Sequence, residues 1–233
     1  MTQDLRAGSA PTFPAAQLLA IKPREARVTV SRILRQAEWV WGLEPAVTSI
    51  VLAAHRQRLS GLDVLDRDWE QIRTSRPEAI EASVAGEGAW LLAARECHAL
   101  VAAPSVLDFL IASVLCRTAA DVVVKGCAAP EMLGALAFFG QRHGLRITAR
   151  MRDDGIRLSA LRGMESTPAF ALFPALQKDD YPVDIRVWER LRRRSQDYLV
   201  PDSEVSRSHA GDGTHVFPLT LPESAAGKHV RNS

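Results

Sequence analysis

Val122-Val123-Val124-Lys125-Gly126-Cys127 is the stretch on which the fold turns. Three consecutive β-branched, fully apolar residues suit a strand buried inside a sheet. Gly126 marks its exit, and Pro130 opens a helix whose Met132, Leu133, Leu136 and Phe139 stripe ends at Gly144. Leu145 to Met151 then alternates, with Ile147, Ala149 and Met151 on one side and Arg146, Thr148 and Arg150 on the other, as a half-exposed strand does. Asp153-Asp154-Gly155 predicts a hairpin turn, and Ile156 to Leu161 the returning strand. Upstream, Ala89 to Ala94 reads as a strand. Pro104 to Cys116 reads as a helix with Val106, Phe109, Leu110, Ser113 and Val114 on one side. Residues 86–161 are therefore strand, helix, strand, helix, strand, strand. The Val122 strand is expected to pair with the Ile147 strand through a right-handed crossover.

Working outward, a helical pair precedes the sheet. Val30, Ile33, Leu34, Ala37, Val40 and Trp41 recur at helical spacing, with Thr29 as the cap of the first turn and Gly42 as the terminator. Pro45 opens a second helix with a Val47, Ile50, Val51, Ala54 stripe, closed by Gly61. Asp63 to Arg73 forms a third before Pro77. After a proline-bearing covering loop over 163–182, Asp184 caps a last helix whose Ile185, Trp188, Leu191, Ser195 and Tyr198 share a face and which stops near Pro201. The expectation is an α/β (α+β) fold: a helical pair beside a mixed β-sheet with crossover helices, a C-terminal helix and disordered ends. Residues 1–26 are expected as a disordered arm and 208–233 as a flexible tail. The domain between them, 27–207, has a helical part (27–75), a sheet part (86–161) and the last helix (183–200).

Composition narrows the class. The chain has 233 residues, 47% hydrophobic and 24% charged, with 29 basic and 27 acidic side chains for a net charge of +2. Such a balance gives no bulk attraction to nucleic acid or to an anionic membrane. No apolar run reaches the ~18 residues that span a bilayer, and the short Ala15 to Ile21 stretch does not make a signal peptide. Three cysteines, an odd number, do not form a disulfide framework and suit a reducing compartment, so the cytoplasm is the expected location.

Two segments carry a resemblance. Trp41-Gly42-Leu43 follows the first helix. Asp184, Trp188 and Leu191 lead into Tyr198-Leu199-Val200-Pro201-Asp202-Ser203-Glu204-Val205-Ser206-Arg207. Together they resemble a proteobacterial family of domains of unknown function. In that family a Trp-Gly-Leu segment lies near the start, and a Tyr-Val-Pro-x-Ser/Thr-Glu-x-Ser-Arg segment followed by glycines lies near the end. The likeness covers roughly Thr29 to Gly213. This chain departs from the pattern by Leu199, inserted between Tyr198 and Val200, and by longer ends. The resemblance implies a fold neighbourhood in bacteria and no particular activity.

Several residues are candidates for chemistry. Cys127 lies between a buried strand and a helix start, where amides and the Lys125 ammonium lower a thiol's pKa; no partner base is identifiable, and a small residue in a tight turn fits as well. Gly126 with that helix start offers free amides to an anion, without a complete phosphate-loop motif. Cys97 and His98 are adjacent, but the spacings to Cys116 and Cys127 match no zinc pattern, so structural cysteines and a satisfied histidine are expected. His209 and His215 flank Asp212 in the tail, placing His209 among the candidate bases. The densest polar cluster is Tyr198, Ser203, Glu204, Ser206 and Arg207. There Arg207 is suited to clamp a carboxylate or phosphate beside the two serine hydroxyls. The same residues also suit a helix cap and a packed tyrosine. Arg190, Arg192, Arg193 and Arg194 make a basic run that reads as a solvated helix face rather than a nucleic-acid contact. Trp39 and Trp41 cannot share one helical face, so one belongs to the core and the other to an interface or pocket.

Two functions follow as expectations. One is a non-catalytic accessory or small-ligand-binding subunit of a metabolic system, partnered by a protein or a small anionic metabolite. The other is an enzyme on a small carboxylate or phosphate, anchored by Arg207, with Tyr198, Glu204 or His209 moving the proton. No metal or cofactor is called for.

Overall fold

In register with Val122 and Val124, which are fully buried, Leu158, Ile156 and Trp90 complete the inner face of a five-stranded sheet. The computed structural model describes residues 17–37, 39, 42–85, 89–163 and 179–199. The sheet runs β2-β3-β4-β6-β5, built from β2 (Glu81–Val84), β3 (Ala89–Ala93), β4 (Ala119–Lys125), β5 (Leu145–Arg152) and β6 (Gly155–Arg162). β3 and β4 are parallel and joined by α5 (Ala99–Arg117), while every other pairing is antiparallel. With its helices, this is the α/β fold expected. One pairing is corrected: β6 lies between β4 and β5, so the Val122 strand hydrogen-bonds the returning strand and not the Ile147 strand. The two-residue turn at Asp153 and Asp154 delivers β6 onto β5, and the free edge of β4 accepts its other side.

Period-two burial follows from this register. Ile156, Leu158 and Ala160 face the core, whereas Arg157, Ser159 and Leu161 face outward. On the inner side lie α5 and a segment of 3-10 helix (Pro130–Ala135) continuing into the short α6 (Leu136–Gly140). The sequence reads that segment as one regular helix; it is broken into short turns instead. α5 starts at Ala99, five residues before Pro104, which sits inside it. Its 19 residues make it long and apolar enough to cross a membrane by length and composition alone, contrary to the expectation of no such run. Here nine of its residues, Leu100 and Leu110 among them, are buried in the core.

The N-terminal helices begin earlier than expected. α1 spans Pro23–Leu34, with Pro23 in the first turn where its missing N–H costs nothing. Thr29 is therefore a buried mid-helix residue and not a cap. Before it, β1 (Leu18–Ile21) pairs antiparallel with β7 (Tyr181–Asp184), so the latter part of the expected arm and the end of the covering loop form a second, two-stranded sheet. α2 (Leu43–Arg56) starts at Gly42, whose φ of 96° gives the left-handed turn that entry requires; Gly42 opens α2 and does not end α1. α3 (Gly61–Arg67) and α4 (Trp69–Arg73) share the expected third helix. The last helix, α7 (Ile185–Gln196), is capped by Asp184, whose Oδ1 accepts from the Arg186 amide at 2.8 Å, and buries Trp188, Leu191 and Ser195. The described residues up to Tyr198 belong to one compact unit.

Candidate functional site

α1 stops at Leu34, and the chain turns out of it through Arg35, the C-cap. One residue on, the Gln36 side-chain Nε2 donates to the Arg194 carbonyl at 2.7 Å, which ties this turn to the end of α7. That tie brings Tyr198, just beyond α7, against the start of α2. Between them lies a cavity of about 650 Å³ whose lining includes Leu34, Arg35, Trp39, Gly42, Glu44, Pro45 and Tyr198. Its size falls in the range of small-molecule sites, roughly 300–1,000 Å³.

The polar groups of the cavity are arranged around Arg35. Its Nε donates to Glu44 Oε2 at 3.3 Å, and its guanidinium carbon stands 5.9 Å from the centroid of the Tyr198 ring. Hydrogen bonding to Tyr198 and then to Glu44 raises its pKa further, so it is a permanent cation. Glu44 is fixed from its other side by the Thr48 hydroxyl, which donates to Oε1 at 2.9 Å. Trp39 Nε1 is buried and has no hydrogen-bond partner among the described residues. A buried indole N–H normally finds an acceptor, and leaving it without one costs about 1–3 kcal/mol. The wall thus offers a guanidinium and a phenol, beside the apolar Leu34 and Pro45. Such a set suits a ligand with a hydrogen-bond-accepting, negatively charged end and an apolar body.

Gly42, from the Trp41-Gly42-Leu43 segment, and Tyr198, from the second segment, line this one cavity. Trp39 takes the pocket position expected of one of the two tryptophans. Trp41 lies outside the described residues, as do Ser203, Glu204, Ser206, Arg207 and His209; of the polar cluster, Tyr198 alone is placed. Arg35, Glu44 and Thr48 were not legible as site residues. Arg35 ends α1 and Glu44 starts α2, with Thr48 one turn further on, and no local spacing links Arg35 to the other two.

The other candidates settle elsewhere. Cys127 is half-buried, and burial pushes its thiol up to about 11, opposite to an activated nucleophile. Lys125 pairs with Asp154 rather than with that thiol, and the segment after Cys127 is 3-10 rather than α-helical. His98 is fully buried at the start of α5, where its Nδ1 accepts from the Leu100 amide at 3.2 Å and its Nε2 meets Asp68 Oδ2 at 3.3 Å. It is the satisfied histidine expected. Among the described residues, no three histidine, cysteine or acidic side chains are grouped to hold a metal ion. In the basic run, Arg190 and Arg194 both bind Asp66, at 2.7 and 3.3 Å, leaving Arg192 and Arg193 to solvent.

No family model and no curated protein matches this chain. Among solved structures it is similar to malate dehydrogenase from Pyrococcus horikoshii OT3, at 11% identity and a TM-score of 0.43, over 64% of this chain and 52% of that one. It is also similar to malate dehydrogenase from Entamoeba histolytica, at 12% identity and a TM-score of 0.45, over 84% and 67%. The chain thus spans about half the length of the Pyrococcus protein.

Proposed function

We propose that this chain is a non-catalytic, small-ligand-binding protein, an accessory subunit of a bacterial metabolic system. Its ligand is a small carboxylate or phosphate seated against Arg35. The observation that supports the reading is the Arg35 guanidinium in the wall of a cavity large enough for a metabolite. An anionic oxygen accepts from the Arg35 guanidinium, and the apolar wall covers the remainder of the ligand. Binding rather than catalysis is supported by Glu44: Arg35 and Thr48 already occupy its two oxygens, so it is poorly placed to take a proton from a ligand. Three unpaired thiols, Cys97, Cys116 and Cys127, support placement in a reducing compartment such as the cytoplasm.

The test is a thermal-shift series on the full chain with small mono- and dicarboxylates and sugar phosphates. At least one class is expected to raise the melting temperature, and Arg35→Ala is expected to remove that rise. A shift that survives this substitution, or no shift from any anion, overturns the assignment.

A further inference from the structure

Past the ends of β3 and β4 the register shifts by two residues, from Ala93 opposite Lys125 to His98 opposite Ala128, and the chains stay hydrogen-bonded. The Ala94 amide donates to the Lys125 carbonyl at 2.8 Å, the Ala128 amide to the Cys97 carbonyl at 3.2 Å, and the Ala99 amide to the Ala128 carbonyl at 2.9 Å. The last two bonds make His98 and Ala128 a parallel bridge. Cys97 and Cys127 each precede one member of that bridge, and the amide after Cys127 bonds the Cys97 carbonyl, so the two cysteines are brought close on adjacent chain segments. Paired strands lie about 4.8 Å apart. A disulfide asks for a Cα separation of roughly 4.4–6.8 Å with the Cβ atoms facing each other. The two thiols also sense one another: a thiolate at Cys127 opposes ionisation of Cys97. Cys116 stands apart on the exposed end of α5.

We propose that Cys97 and Cys127 are a reversible redox pair that closes to an intramolecular disulfide on exchange with a small-molecule disulfide such as oxidised glutathione. Cys127, half-buried where Cys97 is buried, reacts first. Its thiolate attacks one sulfur of the oxidant, forming a mixed disulfide and expelling one glutathione thiolate. The Cys97 sulfur then loses its proton and attacks the Cys127 sulfur, expelling the second glutathione. One glutathione disulfide is reduced to two thiols as the two protein thiols are oxidised, and the two thiol protons end on the released glutathiones. Burial holds both thiols in the protonated form, Cys97 at about 12 and Cys127 at about 11, so closure is slow at neutral pH and quickens as pH rises. The bond ties the entry of α5 to the exit of β4.

The experiment uses the full chain carrying Cys116→Ser, incubated with oxidised glutathione at pH 8.5, then denatured and alkylated. Intact mass is expected to fall by about 2 Da with no alkyl group added, as loss of two hydrogens requires. The melting temperature is expected to rise by about 5–10 °C and to return on addition of dithiothreitol. Adding Cys97→Ser is expected to leave a stable glutathione adduct on Cys127. Two alkylated thiols after prolonged incubation, or glutathione adducts on Cys97 and Cys127 with no crosslinked product, overturn the proposal.

Discussion

Arg35 stands over the ring of Tyr198, with 5.9 Å between the guanidinium carbon and the ring centroid, and this contact joins the end of α1 to the residue that follows α7. The ring and the hydroxyl do separate things. The ring face lies against the cation, and the phenol is a polar group that raises the guanidinium's pKa. Tyr198→Phe therefore keeps the wall of the cavity and removes one polar group. With the small carboxylate that gives the largest melting shift, Tyr198→Phe is expected to weaken binding about tenfold, the size of one hydrogen bond, and Tyr198→Ala more than that. Isothermal titration measures both. Equal affinity for wild type and Tyr198→Ala would remove Tyr198 from the site.

Asp66 carries more structural weight than the exposed ion pairs. Its side chain is 8% exposed and accepts from Arg190 and Arg194 together. Replacing it by alanine leaves two guanidinium groups side by side without their acceptor, and Arg194 is also held over Trp69. Because Arg190 is half in solvent, the cost is held to about 1–2 kcal/mol. Urea denaturation of Asp66→Ala is expected to show that loss with an unchanged m-value, and Arg192→Ala none. A neutral Asp66→Ala would mean that the ion pairs do not hold α7, leaving that to its buried face at Trp188 and Leu191 and to the Gln36 bond.

What could be read in the sequence and what could not divides by whether the cause is local. The Val122 to Val124 run announces a buried strand because β-branched packing is written in consecutive residues, and the Asp184 cap lies within three residues of the amide it serves. β1 and β7 are different: Leu18–Ile21 is stabilised by residues more than 150 positions away, and Pro182 hides the strand character of β7. β2 has no buried residue at all, so no alternation marks it. Pro104 misplaces the start of α5, because a proline normally opens a helix, whereas here burial of Leu100 to Ala103 carries the helix through it. Tyr198 and Trp39, one of the two tryptophans, were legible as site residues from their chemistry. Arg35 and Glu44 were not, since their pairing exists only once α1 and α2 are packed.

The two faces of β6 give a direct check on the register. Leu158 is fully buried and opposite Val122, while Leu161, on the other face, is 52% exposed. Leu158→Ala removes packed methyl groups and leaves a cavity, at an expected cost of about 2–5 kcal/mol. Leu161→Ala is expected to change stability by less than about 0.5 kcal/mol. A one-residue slip of the strand exchanges the faces, so equal costs at the two positions, or a larger cost at Leu161, would contradict the pairing with β4.

His98 sets an acid limit on stability. Burial lowers its pKa below the ordinary 6.5, and this outweighs the neighbouring Asp68, which acts in the opposite direction. The unfolded chain thus binds a proton at His98 near pH 6.5 that the folded chain does not. Stability from this group is present above pH 6.5 and is lost as pH falls from there toward the depressed folded value. Asp68 adds to the same trend at lower pH: Arg67 and His98 hold its carboxyl below the usual 3.8, so its contribution is lost as pH falls through that depressed value. Asparagine at position 98 keeps the helix cap without titrating. The wild-type midpoint in urea is therefore expected to fall between pH 7.5 and 5.5 with a slope approaching one proton, about 1.4 kcal/mol per pH unit, and His98→Asn is expected to flatten that slope. The other five histidines are common to both chains and cancel in the comparison. Parallel slopes would show that His98 is protonated as readily folded as unfolded, and the buried, neutral imidazole at the start of α5 would have to be abandoned.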